Sequence, residues 1–170
     1  MSALYARRAS ETNRGGACTG WARRPRCVNV RAVATRTLLK QSKVGRLGTL
    51  TAEGTPHLVP VCYALLEDDT LVIAIDEKPK RPGRLARLRH IDGNPRVSLL
   101  VDVYDDDDWT RLAWVRADGE AEIVEVGGGR DDALHELRER YIQYRSMALE
   151  ERPLIVIRPR RVTAWRDATP

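Results

Sequence analysis

Cysteine is scarce and unpatterned in this chain. Cys18, Cys27 and Cys62 are odd in number and form no C-x-x-C pair, which excludes a disulfide framework and a zinc ribbon. No apolar run approaches the roughly 18 residues needed to span a bilayer, and the N-terminus lacks the continuous apolar segment of a secretory signal. A cytoplasmic chain with no membrane partner is expected. Acidic residues are nearly missing from one end: residues 1–46 carry eleven Lys and Arg against Glu11 alone, whereas residues 47–170 carry eighteen against twenty-three. The net charge of +5 therefore belongs to the leader, and a net acidic remainder excludes a phosphate-backbone binder, so no nucleic-acid partner is expected. The motifs of common catalytic centres are also missing. There is no G-x-S-x-G, no Walker loop and no G-x-G-x-x-G.

With 170 residues the chain suits one domain with a sizeable core. Residues 1–29 have no sustained period and read as a disordered basic leader; residues 30–170 form the folded unit. The centre of that unit runs from Thr70 to Tyr104. Leu71 to Ile75 is a short apolar run rich in β-branched residues, which predicts a buried strand. Lys78, Lys80, Arg81 and Arg84 follow within seven residues, then a short helix with Leu85, Leu88 and Ile91 on one stripe, then a strand from Val97 to Val103. Strand, basic turn, helix and strand together can hold a phosphorylated ligand, because lysine and arginine form charge-assisted hydrogen bonds with phosphate oxygens.

Around this centre the periodicities predict a helix at Val30–Gln41, a hairpin of Val44–Leu50 with Pro56–Leu66, and a second hairpin of Trp109–Ala117 with Gly119–Val126 turning at Asp118-Gly119. A helix over Asp131–Tyr144 and strands at Leu154–Ile157 and Val162–Trp165 complete the chain. Pro60 cannot donate to a ladder, so its strand belongs at an edge or bulge, where backbone groups are free for a ligand. Tight turns and little helix–strand alternation predict a mainly β protein, a β-barrel with peripheral helices.

No metal site is expected. His57, His90 and His135 are scattered, His57 and Cys62 face opposite ways on one strand, and Asp105–Asp108 lacks the alternating ligands of a calcium loop. Cys62 reads as a small buried hydrophobe. With no protein nucleophile or base evident, and so no catalytic side chain assigned, a bound cofactor would carry the chemistry.

Four stretches bear a resemblance: R-L-G-T-L-T-A-E-G-T-P-H-L-V-P-V (Arg46–Val61), I-A-I-D-E-K-P-K-R (Ile73–Arg81), N-P-R-V-S-L-L-V-D (Asn94–Asp102) and D-D-D-W (Asp106–Trp109). In register over Val30–Ala168, they resemble the pyridoxamine 5'-phosphate oxidase-like split β-barrel superfamily, and within it the F420-dependent branch. The resemblance implies a homodimeric split β-barrel with its cofactor at the subunit interface. It implies an F420-dependent oxidoreductase that passes a hydride between the deazaflavin and an unidentified small-molecule substrate. Carried over by position, Lys78, Lys80 and Arg81 meet the cofactor's phosphate end, and Pro60, Val61, Ala74 and Ile75 line its ring. His57 approaches from the same strand as Pro60, and Trp109 comes from the partner subunit. Trp114, five residues further on, faces the other way and reads as core. The basic tract also accommodates the shorter phosphate of FMN, so an FMN-dependent oxidase or reductase on the same fold is an alternative. A non-catalytic flavin or haem carrier is another, with His57 the one histidine near the implied pocket.

Overall fold

A computed structural model describes residues 30–76, 85–126 and 130–166. Helix α1 (Val30–Gln41) leads into β1 (Gly45–Leu50), β2 (Pro56–Val61), β3 (Ala64–Leu65) and β4 (Leu71–Ala74). Helix α2 (Ala86–Gly93), β5 (Arg96–Val103), β6 (Ala113–Val124), α3 (Asp131–Arg140) and β7 (Leu154–Arg166) follow, with short 3₁₀ turns at Trp109–Arg111, Ile142–Ser146 and Leu149–Glu151. The strands form one antiparallel sheet in the order β2-β1-β5-β6-β7-β4-β3.

That order dictates a curl. β2 and β3 lie at opposite ends of the sheet, yet only Cys62 and Tyr63 separate them in sequence, so the two edges must approach each other. Tyr63 makes the crossing outside any ladder, and its backbone needs other partners. The Tyr141 hydroxyl supplies them: it accepts from the Tyr63 N–H at 2.9 Å and lies 2.7 Å from the Tyr63 carbonyl. The Tyr63 hydroxyl donates in turn to the Leu39 carbonyl at 2.6 Å, near the end of α1. Burial raises both phenols above their ordinary pKa, so both stay protonated and able to donate. Arg140 lies over the Tyr63 ring at 5.1 Å and donates to the carbonyls of Leu39, Lys40 and Ser42, placing a cation at the negative end of α1.

The core has two parts, one on each face of the sheet. Leu47, Leu71, Ile73, Leu99, Val101, Val115, Ile155 and Ile157 fill the barrel interior with Leu88 and Ile91 of α2. Val72 and Ala74 turn the other way, onto Leu134 and Leu137 of α3. β4 is thus buried on both faces, which explains its unbroken apolar sequence.

Several elements differ from the sequence reading. The Pro56–Leu66 strand breaks at Cys62-Tyr63, where the chain changes edges, and Cys62 is half-buried beside the second cluster instead of lying within a strand. No hairpin forms at Asp118-Gly119. β6 runs unbroken through both residues, and the register against β7 shifts there. Gly119 meets a need for space: a Cβ on it would stand 2.3 Å from the Arg158 carbonyl oxygen. The two terminal strands merge into β7 for the same reason, because β7 bends past this point without ending. α3 stops at Arg140 and continues as the 3₁₀ turn Ile142–Ser146. Trp114 is half-buried and stands opposite Asp102 and Trp165 on the sheet face away from the barrel interior, so it is not core. α1 has the predicted bounds, and Pro60 lies on an edge strand that pairs with β1 alone.

Candidate functional site

β1 and β2 set three polar side chains at one end of the barrel. Thr49 and His57 are cross-strand partners, and Thr49 is only 3% exposed. His90, on α2, comes down on them: its Nδ1 is 3.0 Å from the Thr49 hydroxyl, and its ring meets His57 edge-on with centroids 4.9 Å apart. The histidines are therefore not all scattered, because a helix remote in sequence folds onto the hairpin. His135 stays apart and exposed on α3. The Nδ1 of His57 is buried with no hydrogen-bond partner. Among the described residues no group of three His, Cys, Asp or Glu could hold a metal, and no helix is long and apolar enough to cross a membrane.

The other predicted cofactor residues occupy different environments. Val61 and Ile75 are buried, at 7% and 5% exposure, and meet in the interior cluster. Ala74 is equally buried but faces α3. Pro60 is exposed on the outer side of β2, across from Arg46. Trp109 is 64% exposed on a 3₁₀ turn whose Thr110 amide donates to the Asp108 carboxylate. Lys78, Lys80 and Arg81 lie outside the described residues.

Nothing in the sequence sets Arg87 apart from the many other cations. In the fold it is half-buried in the first turn of α2, beside Asp76, the last described residue of the preceding segment, and its Nε is buried without a partner. Burial lowers its pKa from the ordinary guanidinium value, while the charges of Asp76 and Tyr144 pull it back up. An orphaned buried donor of this kind fits an anionic group, since leaving it unpaired is costly. Only tertiary packing marks it out from Arg89, its exposed neighbour on α2.

A groove of about 1260 Å³ lies elsewhere, between α1 and the strands β6 and β7, with Leu38, Val162, Ala164 and Trp165 among its lining. Among the described residues, none of the predicted cofactor positions borders it. A smaller hollow of about 460 Å³ adjoins Cys62, Lys43 and Tyr141.

Comparison with known proteins adds the following. The family model described as pyridoxamine 5'-phosphate oxidase matches residues 33–166. A 5a,11a-dehydrotetracycline/5a,11a-dehydrooxytetracycline reductase of Streptomyces rimosus is 31% identical over 129 residues, covering 76% of this chain and 78% of its own. A conserved hypothetical protein of Mycobacterium tuberculosis superposes with a TM-score of 0.64 at 24% identity, over 86% of this chain and 91% of that one. A FAD-binding protein of Mesorhizobium loti does so with a TM-score of 0.57 at 23% identity, over 78% and 90%. The two solved structures establish the split-barrel fold. The family match and the reductase relative support an oxidoreductase.

Proposed function

This chain belongs to the pyridoxamine 5'-phosphate oxidase family, and on that premise we propose that it is an F420-dependent oxidoreductase acting on a small organic substrate as a homodimer. The observation that carries the proposal is the unpartnered, buried Nε of Arg87, set directly after the cation-rich segment between β4 and α2. Lys78, Lys80, Arg81, Arg84 and Arg87 are five cations in ten residues. A single phosphate monoester carries a charge of about −2, so this many cations suit a longer polyanionic tail better than FMN.

When bound, the deazaflavin supplies a hydride from a ring carbon. The chain's own residues do the rest: Arg87 and the lysines neutralise the anionic tail, and the edge strand β2 offers backbone groups beside Pro60. The buried Nδ1 of His57 provides one further polar contact. The second subunit is supported by exposed apolar side chains at one end of the sheet, among them Tyr104, Trp109, Val162 and Trp165, which a lone protomer leaves in water. Trp109 would then reach the partner's site.

Titration of the purified protein with F420 and FMN in parallel, followed by tryptophan fluorescence, tests the assignment. Micromolar binding of F420 with much weaker FMN binding is expected. Preference for FMN would move the chain to a flavin-dependent reaction, and binding of neither would reject the site. Lys80→Ala is expected to weaken F420 binding by about 1 to 3 kcal/mol, the range for a lost charge-assisted bond. Arg87→Leu is expected to weaken it roughly tenfold. Unchanged dissociation constants in both variants would remove the segment from the site.

A further inference from the structure

We propose that Thr49, His57 and His90 form an acid-sensitive latch that holds α2 on the β1–β2 hairpin at neutral pH and releases it when His90 takes up a proton. The latch joins three elements through side chains: Thr49 on β1, His57 on β2 and His90 on α2. With His90 neutral and its proton on Nε2, the tautomer the latch requires, the Thr49 hydroxyl donates to Nδ1 at 3.0 Å. Protonation makes Nδ1 a donor, and the hydroxyl hydrogen must then turn to the His57 carbonyl at 3.5 Å, the limit of a useful bond. His57 packs against the same ring, edge-on with centroids 4.9 Å apart, and so ties His90 to β2 as well as to β1.

The charges acting on His90 come from its own helix and from the hairpin. Arg89 and His57 oppose its protonation, and Glu53, in the turn between β1 and β2, favours it. Burial is the largest influence and acts in the same direction as Arg89 and His57, so the folded-state pKa lies below the ordinary histidine value. The sign follows. The unfolded chain binds the proton more readily, so the latch contributes its full stability above about pH 6.5 and loses it as the pH falls below that value.

The consequence for the anion site rests on the function proposed above: α2 begins just after the cation-rich segment and carries Arg87, so loosening α2 would weaken the hold on an anionic ligand in acid. The latch itself can be tested without any ligand. Hydrogen exchange of the α2 amides, corrected for intrinsic rates, would be compared at pH 7.5 and pH 5.5 in the full chain, with NMR titration of the histidine rings. Roughly tenfold loss of α2 protection at the lower pH is expected in the native chain. His90→Asn is expected to abolish that acid-dependent loss, and His57→Asn to raise the His90 midpoint. Thr49→Val, close in shape but lacking the hydroxyl, is expected to loosen α2 already at pH 7.5. Equal protection at the two pH values in the native chain, or acid loosening that persists in His90→Asn, would overturn the latch. Failure of F420 binding would leave these exchange results untouched and count only against the function proposed above.

Discussion

Gly119→Ala is expected to destabilise the protein by about 3 kcal/mol, the upper end for forcing extra volume into a packed site. The added Cβ would stand 2.3 Å from the Arg158 carbonyl oxygen and 2.9 Å from the Pro159 Cα, and all of these are backbone atoms. No rotamer change relieves such a contact. The ladder between β6 and β7 must shift where Asp118 pairs with Arg161 and Gly119 with Pro159, at the bend that lets one long strand pair serve both halves of the sheet. Gly48→Ala is the matched control. Its Cβ would meet the Ser98 carbonyl at 3.5 Å, an ordinary contact, so its effect should stay within about 1 kcal/mol. Urea unfolding of the two variants decides the matter, and similar midpoints would refute the spatial role of Gly119.

Arg130→Met is expected to cost about 3 kcal/mol, which for a chain of this size lowers the melting temperature by roughly 6 to 12 °C. Arg130 is 3% exposed, and the partners found for it are carbonyls instead of a carboxylate. Its guanidinium donates to Arg152 at 2.6 Å, Leu149 at 3.2 Å, Glu150 at 3.3 Å and Glu125 at 3.5 Å. Leu149–Glu151 is a 3₁₀ turn with few internal bonds, and Arg130 fastens it to the start of α3. Methionine fills much of the same volume but leaves these carbonyls without a donor in a buried place. Arg130→Lys should fall between the two, since an ammonium cannot span the same set of acceptors. A melting temperature unchanged in Arg130→Met would mean that the turn holds without the clamp.

The two variants also mark the limits of reading from sequence. Asp118-Gly119 has the local signature of a hairpin turn, because glycine and aspartate accept the backbone angles a turn requires. The actual requirement is a missing Cβ against Arg158, a residue thirty-nine positions away, and no local pattern contains it. Arg130 likewise sits in a polar stretch and looks solvated until the Leu149–Arg152 carbonyls close over it. His57 and His90 show the same limit at the candidate site. Alternation placed His57 on a strand and periodicity placed His90 on a helix, but their contact depends on α2 folding back over β1.

The sequence by itself determined the barrel class, the bounds of α1, the buried strand β4, the edge position of Pro60 and the basic segment before α2. Each of these rests on local periodicity, on the missing N–H of proline or on charge, properties a residue carries with its neighbours. Tertiary structure alone decided that β6 and β7 run unbroken, that Tyr141 completes the backbone of Tyr63, that Arg87 is left with a buried, unpaired nitrogen and that His57 meets His90. Those features depend on contacts between residues distant in the chain, which form only when the sheet curls and its two edges come together.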